Sequence, residues 1–165
     1  MANNIIGVPN LRSSYSTIAL SANNTTASVV VFTLTGVVRV YDIWGVVSTV
    51  IGSNHTAGYL QLNDQTATPD ITLATGVTLS SLAVGTLIYK EGMTADALKL
   101  KDNAAGFFEE PASAGASSTS PFIIGKKTGA VTTIDYRYST TNTPTTGGIR
   151  WGVTWFPWSD DGNLA

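Results

Sequence analysis

Residues 130–138 read AVTTIDYRY, and from Thr133 onward polar and apolar side chains alternate. Residues 149–156, IRWGVTWF, repeat the pattern with an aromatic or aliphatic side chain at every second position. A period of two is typical of a β-strand that has one face in a core and the other toward solvent. The two stretches are predicted to pair as a C-terminal hairpin through the polar loop 139–148, with one apolar face formed by Ile134, Tyr136, Tyr138, Ile149, Trp151, Val153 and Trp155.

Short strand signals recur along the rest of the chain, whereas sustained helical periodicity does not. Gly, Pro, Asn and Asp separate the strand signals, as they do at turns. Residues 93–98 are the one helical candidate, and the pattern there fits a strand equally well. The spacing predicts an all-β fold, either an antiparallel β-sandwich of jelly-roll type or a barrel. The other predicted strands are residues 17–20, 28–35, 37–44, 46–51, 59–62, 71–73, 86–90, 98–101 and 122–124.

The predicted domain organisation is a single β domain, residues 17–165, preceded by an extended N-terminal arm, residues 1–16. A chain of 165 residues lies within the usual size of one domain. The arm mixes apolar residues with Asn, Pro and Ser, which favours an extended segment that lies on a neighbouring molecule. Its predicted anchors are Ile5, Ile6, Val8 and Leu11.

Composition narrows the possible partners. The chain has no cysteine and one histidine, which argues against disulfides and against zinc sites built on thiolates or several histidines. Charged residues make up 12% of the chain and the net charge is −2, so no basic surface is expected to bind nucleic acid directly. No apolar run reaches the roughly 20 residues of a membrane span, and no signal peptide is recognised. We therefore expect synthesis in a cytoplasm, where the protein stays or which it leaves inside something larger, and no membrane partner.

The reactive residues do not form a known catalytic pattern, so no catalytic residue, metal or cofactor is predicted. His55 lies between small and polar residues and is expected to be a loop histidine. A catalytic role is not predicted for it, because no nucleophile-elbow motif surrounds any serine. The adjacent carboxylates of residues 109–110 and 160–161 would point to opposite faces of a strand. Residues 125–129, GKKTG, lack the first glycine of a phosphate loop and are predicted to form a hairpin turn. Residues 159–163, SDDGN, are predicted to form a capped turn, not a calcium loop.

The aromatic residues near the C-terminus are predicted to divide between core and interface. Trp151 and Trp155 share the parity of the apolar face and are expected in the core. Phe156 and Trp158 flank Pro157, where the strand is expected to end, and both are candidate exposed anchors for a partner.

The whole composition, rich in threonine, serine and glycine and free of cysteine, resembles that of the small decoration, or cement, proteins of tailed bacteriophage heads. The closing stretch 148–157, GIRWGVTWFP, and the Asp-Asp-Gly tail after it resemble those of small phage structural proteins. The resemblance implies a non-enzymatic virion protein on the outer capsid surface that stabilises the head. It further implies the major capsid protein and copies of the chain itself, as a homotrimer, as partners.

The alternative is a receptor-binding or carbohydrate-binding module of a phage tail or head fibre. Exposed Trp158 and tyrosine rings beside Asn and Thr side chains would stack on a sugar and form hydrogen bonds with it. A hydrolytic enzyme is the third hypothesis, and it would require His55 as its base.

Overall fold

The computed structural model describes residues 11–21, 25–72, 75–90, 98–101, 121–141 and 146–165. Within these residues the chain forms ten β-strands and no helix, which confirms the predicted all-β fold. The strands are β1 (Arg12–Ala19), β2 (Thr26–Thr35), β3 (Val37–Thr49), β4 (His55–Asn63), β5 (Leu87–Tyr89), β6 (Lys99–Lys101), β7 (Phe122–Gly125), β8 (Thr132–Thr140), β9 (Gly148–Pro157) and β10 (Asn163–Leu164).

The strands form two antiparallel sheets, and one of the two is curled strongly enough to make a half-barrel. The six-stranded sheet has the order β1-β9-β3-β5-β6, and β7 also pairs with β3. The four-stranded sheet has the order β10-β2-β8-β4. The apolar faces of both sheets share a single core cluster, as expected for a sandwich.

The predicted C-terminal hairpin is wrong, because β8 and β9 belong to different sheets. β8 pairs with β2 and β4, whereas β9 pairs with β1 and β3. The aromatic faces of β8 and β9 therefore meet across the core, where the ring centroids of Tyr136 and Trp151 lie 5.4 Å apart. Alternation determines which face of a strand is buried, but it does not determine which strand lies beside it.

The first strand begins within the predicted arm. β1 pairs with β9 from Arg12, opposite Trp155, to Ala19, opposite Gly148, so residues 12–16 belong to the sheet. Ser14 ties this strand to the C-terminal part of the chain. Its hydroxyl donates to the carbonyl of Leu164 and accepts a hydrogen bond of 3.1 Å from Trp155 Nε1. Ile5, Ile6 and Val8 lie outside the described residues.

β3 is one continuous strand, although Gly45 is predicted to separate two. A Cβ atom at Gly45 would lie 2.9 Å from Ile149 Cγ2 and 3.0 Å from Trp151 Cε3. The glycine is thus required by the side chains that pack over it from the neighbouring strand, and it does not end the strand.

Two other local predictions differ from the structure. Residues 125–129 contain a turn, in which the Ala130 amide donates to the Lys127 carbonyl, but this turn joins β7 to β8 in the other sheet and closes no hairpin. The predicted strand 71–73 is absent from the part described, where a single bridge between Gln61 and Asp70 precedes it. Residues 93–97 of the helical candidate lie outside the described residues.

Candidate functional site

His55 lies in the core and not in a loop, so its predicted position is wrong. It is the first residue of β4 and is fully buried. Its Nε2 lies 3.0 Å from the Tyr136 hydroxyl, and its ring stacks on Tyr138 at a centroid distance of 5.1 Å. Gly58 makes room for this pair, because a Cβ there would lie 2.1 Å from the Tyr136 hydroxyl oxygen. Burial lowers the pKa of His55 to about 4, so the ring is neutral near neutral pH.

The remaining candidates for chemistry do not assemble into a reactive centre in the described ranges. No three His, Cys, Asp or Glu side chains there are grouped so that they could hold a metal ion. Ser159 caps the tail turn as predicted: its hydroxyl accepts from the Val37 amide at 2.8 Å and donates to Asp161 Oδ1 at 2.7 Å. Glu109 and Glu110 lie outside the described residues. In the same ranges, no helix has the length and apolar character needed to cross a bilayer.

The outward face of the four-stranded sheet is polar and internally hydrogen-bonded. Asp135 on β8 accepts hydrogen bonds from Ser28, Asn63 and Thr133 at 2.6 to 3.0 Å. These donors leave the carboxylate only 2% exposed. The acceptors of this carboxylate are therefore occupied by neighbours on the same sheet.

The outward face of the six-stranded sheet, called the outer face below, has a different character. The register places Tyr15, Gly152, Trp44 and Tyr89 in one row across β1, β9, β3 and β5. The Trp44 ring packs onto Gly152, where an added Cβ would lie 2.5 Å from Trp44 Cζ2. Tyr15 meets Trp44 edge to face, with ring centroids 6.0 Å apart. The sheet thus carries a tryptophan that lies against the backbone and is partly exposed.

A shallow groove of about 370 Å³ opens beside this tryptophan and is called the Trp44 groove. Tyr15, Trp44, Val46, Ser48 and Arg150 line it. The guanidinium carbon of Arg150 lies 5.1 Å from the centre of the Tyr15 ring, a cation–π distance. The groove combines an apolar floor with a positive charge and hydroxyl groups at its edge.

A second apolar area, the end patch, lies at the other end of the outer face and consists of Leu11, Ile123, Phe156 and Trp158. Arg39 on β3 stands opposite Phe156 on one side and Ile123 on the other. Leu11, Ile123 and Trp158 are 45%, 52% and 57% exposed, and Phe156 is partly buried.

The end patch brings together three residues predicted from the sequence to form an interface, namely Leu11, Phe156 and Trp158. Leu11 immediately precedes the residue that pairs with Trp155, and the Trp158 amide donates to the Val37 carbonyl at 2.8 Å. The core positions predicted for Trp151 and Trp155 are confirmed, since both side chains are buried. Aromatic residues of one short C-terminal stretch therefore divide between the core and the exposed end patch.

The Trp44 groove was not predicted from the sequence. Its residues come from positions 15, 44 to 48 and 150, which only the pairing of β1, β9 and β3 brings together. Two signals were present: Gly152 in the middle of an aromatic strand, and a tryptophan at a solvent-facing position of β3. A glycine inside a strand often marks a place where another group approaches the backbone closely.

A scan against protein-family models, a search of curated proteins and a search of solved structures found no match to this chain. The role of the protein is therefore inferred from its own residues.

Proposed function

We propose that the protein is a non-enzymatic structural protein of a bacteriophage virion, which binds the outer capsid surface and stabilises the head. The end patch on the six-stranded sheet is the surface that contacts the major capsid protein. Copies of the chain associate as a homotrimer. The protein is made in the host cytoplasm and is carried on the virion.

The observation that supports this proposal is a group of four large apolar side chains at one end of the outer face, three of them exposed, with Arg39 between Ile123 and Phe156. Isolated apolar residues on a surface are ordinary, but several large ones gathered at one end of a sheet are typical of a protein interface. Trp158 and Phe156 belong to the residue types that provide much of the binding energy at interfaces. Burying them against a partner would contribute about 25 cal/mol for each Å² of apolar surface removed from water.

The position of Leu11 connects the end patch to the predicted arm. β1 enters the sheet at Arg12, beside Trp155, so the residues that precede Leu11 are attached at this end of the outer face. In the proposal, Ile5, Ile6 and Val8 extend the contact of the patch over a neighbouring subunit. An extended segment that pairs its backbone with a neighbour's strand edge adds affinity with little demand on side-chain identity.

The low share of charged residues is consistent with attachment by many modest contacts. With charged residues at 12% of the chain, long-range electrostatic steering is weak. In a trimer, three end patches and three arms would bind one shell together, and avidity from linked sites can exceed single-site affinity by a factor of about 10² to 10⁴.

The test compares attachment and folding in three kinds of variant. Deleting residues 2–10 removes the part of the predicted arm that precedes Leu11 and leaves β1 intact, while Trp158→Ser and Ile123→Ser change the end patch. Val131→Ser is the matched control, because Val131 and Ile123 are both 52% exposed and Val131 lies outside the patch. Each variant is titrated onto capsids that lack the protein, bound copies are counted, and the thermal midpoint is measured separately.

We expect the control to bind as the unmodified protein does, and each patch variant to bind about tenfold more weakly with a similar thermal midpoint. The arm deletion should also fold and lose most of its occupancy. Sedimentation equilibrium of the unmodified protein should give about 52 kDa, three times the chain mass of 17.3 kDa. Normal occupancy of the patch variants would show that attachment does not run through the end patch, and absence of the chain from capsids would refute the proposal.

A further inference from the structure

The Trp44 groove combines three features that suit one class of ligand: an aromatic ring packed on the sheet, hydroxyl groups beside it, and an arginine that pairs with no carboxylate among the described residues. We propose that this groove binds a saccharide ring that carries a carboxylate. This site is separate from the end patch, and the proposal does not depend on virion attachment.

The floor of the groove is suited to one face of a pyranose ring. The Trp44 indole rests on Gly152, so one side of it is already packed, and the residue remains partly exposed. The edge-to-face contact with Tyr15 holds the indole from a second direction. A pyranose has one face of C–H groups, and packing this face on an aromatic ring removes its apolar surface from water. An aromatic ring that is held in place before binding loses little conformational entropy when the ligand arrives.

The edge of the groove supplies hydrogen-bonding groups. Ser48 and Tyr15 provide hydroxyls, and Arg150 provides a guanidinium group. Arg150 stacks on Tyr15, and among the described residues it takes part in no ion pair, because the pair found there joins Lys127 to Asp64. A guanidinium binds a carboxylate through two parallel hydrogen bonds, so an unpaired arginine beside a sugar platform favours an acidic sugar over a neutral one.

The size of the groove favours a small ligand over a protein surface. Its volume of about 370 Å³ is near the lower end of the range for small-molecule sites, about 300 to 1,000 Å³. A stable protein interface needs about 800 Å² on each partner, and the positions that flank the groove on β1 and β9 are the polar Thr17 and Thr154. The groove and the end patch also differ in place: Gly152 and Phe156 are four residues apart on β9, about 13 Å along the strand.

The experiment uses the isolated full-length protein and two sugars that differ at one carbon. Methyl β-D-glucuronide carries a carboxylate where methyl β-D-glucoside carries a hydroxymethyl group. Each is titrated to about 20 mM while the indole N–H signals of the four tryptophans are followed by NMR. The Trp44 signal is identified from its loss in the Trp44→Leu variant, whose folding is checked by thermal unfolding.

We expect the glucuronide to shift the Trp44 signal with a Kd of the order of 1 mM and the glucoside to bind about tenfold more weakly. Arg150→Gln should remove this preference while the Trp44 signal still responds to high sugar concentration. Arg39→Gln is the matched control. Like Arg150, Arg39 stacks on a tyrosine, in this case Tyr41, with 5.2 Å between the guanidinium carbon and the ring centre. This variant should keep the preference.

Several results would overturn the proposal. They are the absence of any Trp44 shift with either sugar, a preference that survives Arg150→Gln, and a sugar response at Trp158 in place of Trp44. A Trp44 signal that moves on dilution together with a fall in sedimentation mass would assign the groove to a contact between copies of the chain. Because no capsid is used, failure here leaves the attachment proposal unaffected, and the capsid titration leaves this one unaffected.

Discussion

Replacing His55 should remove most of the loss of stability that the protein undergoes between pH 7.5 and pH 5. In the folded chain the pKa of His55 is lowered from 6.5 to about 4 by burial. Protonation would make both ring nitrogens donors, and His55 Nδ1 has no hydrogen-bond partner among the described residues. The folded state therefore resists the proton that the unfolded state readily accepts.

The protein loses stability on acidification because the pKa of His55 is lower in the folded state than in the unfolded state. Above pH 6.5 the ring is neutral in both states and its contribution to stability is fully present. As the pH falls from 6.5 toward 4, only the unfolded state takes up the proton, and stability decreases by about 1.4 kcal/mol per pH unit. Between pH 7.5 and 5 the loss is about 2 kcal/mol, and it reaches about 3 kcal/mol near pH 4.

This pH window isolates the histidine. The chain contains one histidine, so no other imidazole titrates there. The pKa of Asp64 is lowered well below its usual value by hydrogen bonds from the Ala67 and Thr66 amides, so its contribution is lost only at more acidic pH. Burial raises the pKa of Asp42, which acts in the opposite direction and is the same in protein and variant.

The assay is urea unfolding followed by tryptophan fluorescence at pH 7.5 and pH 5, which yields a free energy of unfolding at each pH. The variant is His55→Gln, whose amide can still bond to the Tyr136 hydroxyl but does not titrate. Its absolute stability is expected to be lower, so the measured quantity is the change with pH. We expect the unmodified protein to lose about 2 kcal/mol more than the variant. Equal losses in both proteins, or a folded-state pKa of His55 above 6 by NMR, would refute the reasoning.

Two further substitutions test the packing of the six-stranded sheet, and both are read out by the same urea unfolding at pH 7.5. Gly45→Ala should lower the free energy of unfolding by about 1 to 3 kcal/mol, because its methyl group meets side chains at 3.0 Å or less. Gly125→Ala, whose nearest neighbour would be an ordinary contact at 3.5 Å, should change it by less than about 0.5 kcal/mol, and equal effects would contradict the packing argument. Ser14→Ala should cost about 1 to 3 kcal/mol because it leaves the buried Trp155 indole N–H without its acceptor. The exposed Ser13→Ala is the control, and a Ser14→Ala variant as stable as this control would show that the indole finds another partner.

The alternation in residues 130–138 and 149–156 was sufficient to predict two strands and the face of each that is buried. Tyr136, Trp151 and Trp155 are all in the core, as their parity indicates. This worked because the side-chain direction in a strand is a local property of the backbone with a period of two residues. The expected end of the strand at Pro157 predicts exposed anchors at Phe156 and Trp158, and Trp158 is exposed.

The neighbours of each strand were decided only by the tertiary structure. β8 and β9 have the pattern of a hairpin and lie in opposite sheets, because side-chain parity carries no information about which backbone supplies the hydrogen bonds. The sequence predicts a strand at residues 17–20 but not its first part, residues 12–16, because the core-facing positions there include Ser14, whose polarity is satisfied by Trp155 and Leu164 from the other end of the chain.

The positions of His55 and of the Trp44 groove depend on the same long-range pairing. His55 follows a polar turn and has no apolar pattern, yet it is buried because the rings of Tyr136 and Tyr138 close over it. The groove joins residues about a hundred positions apart, which become neighbours when β9 lies between β1 and β3. Local sequence sets the direction of each side chain, and the order of strands in the sheet sets which of those side chains meet, since that order depends on the packing of the whole core.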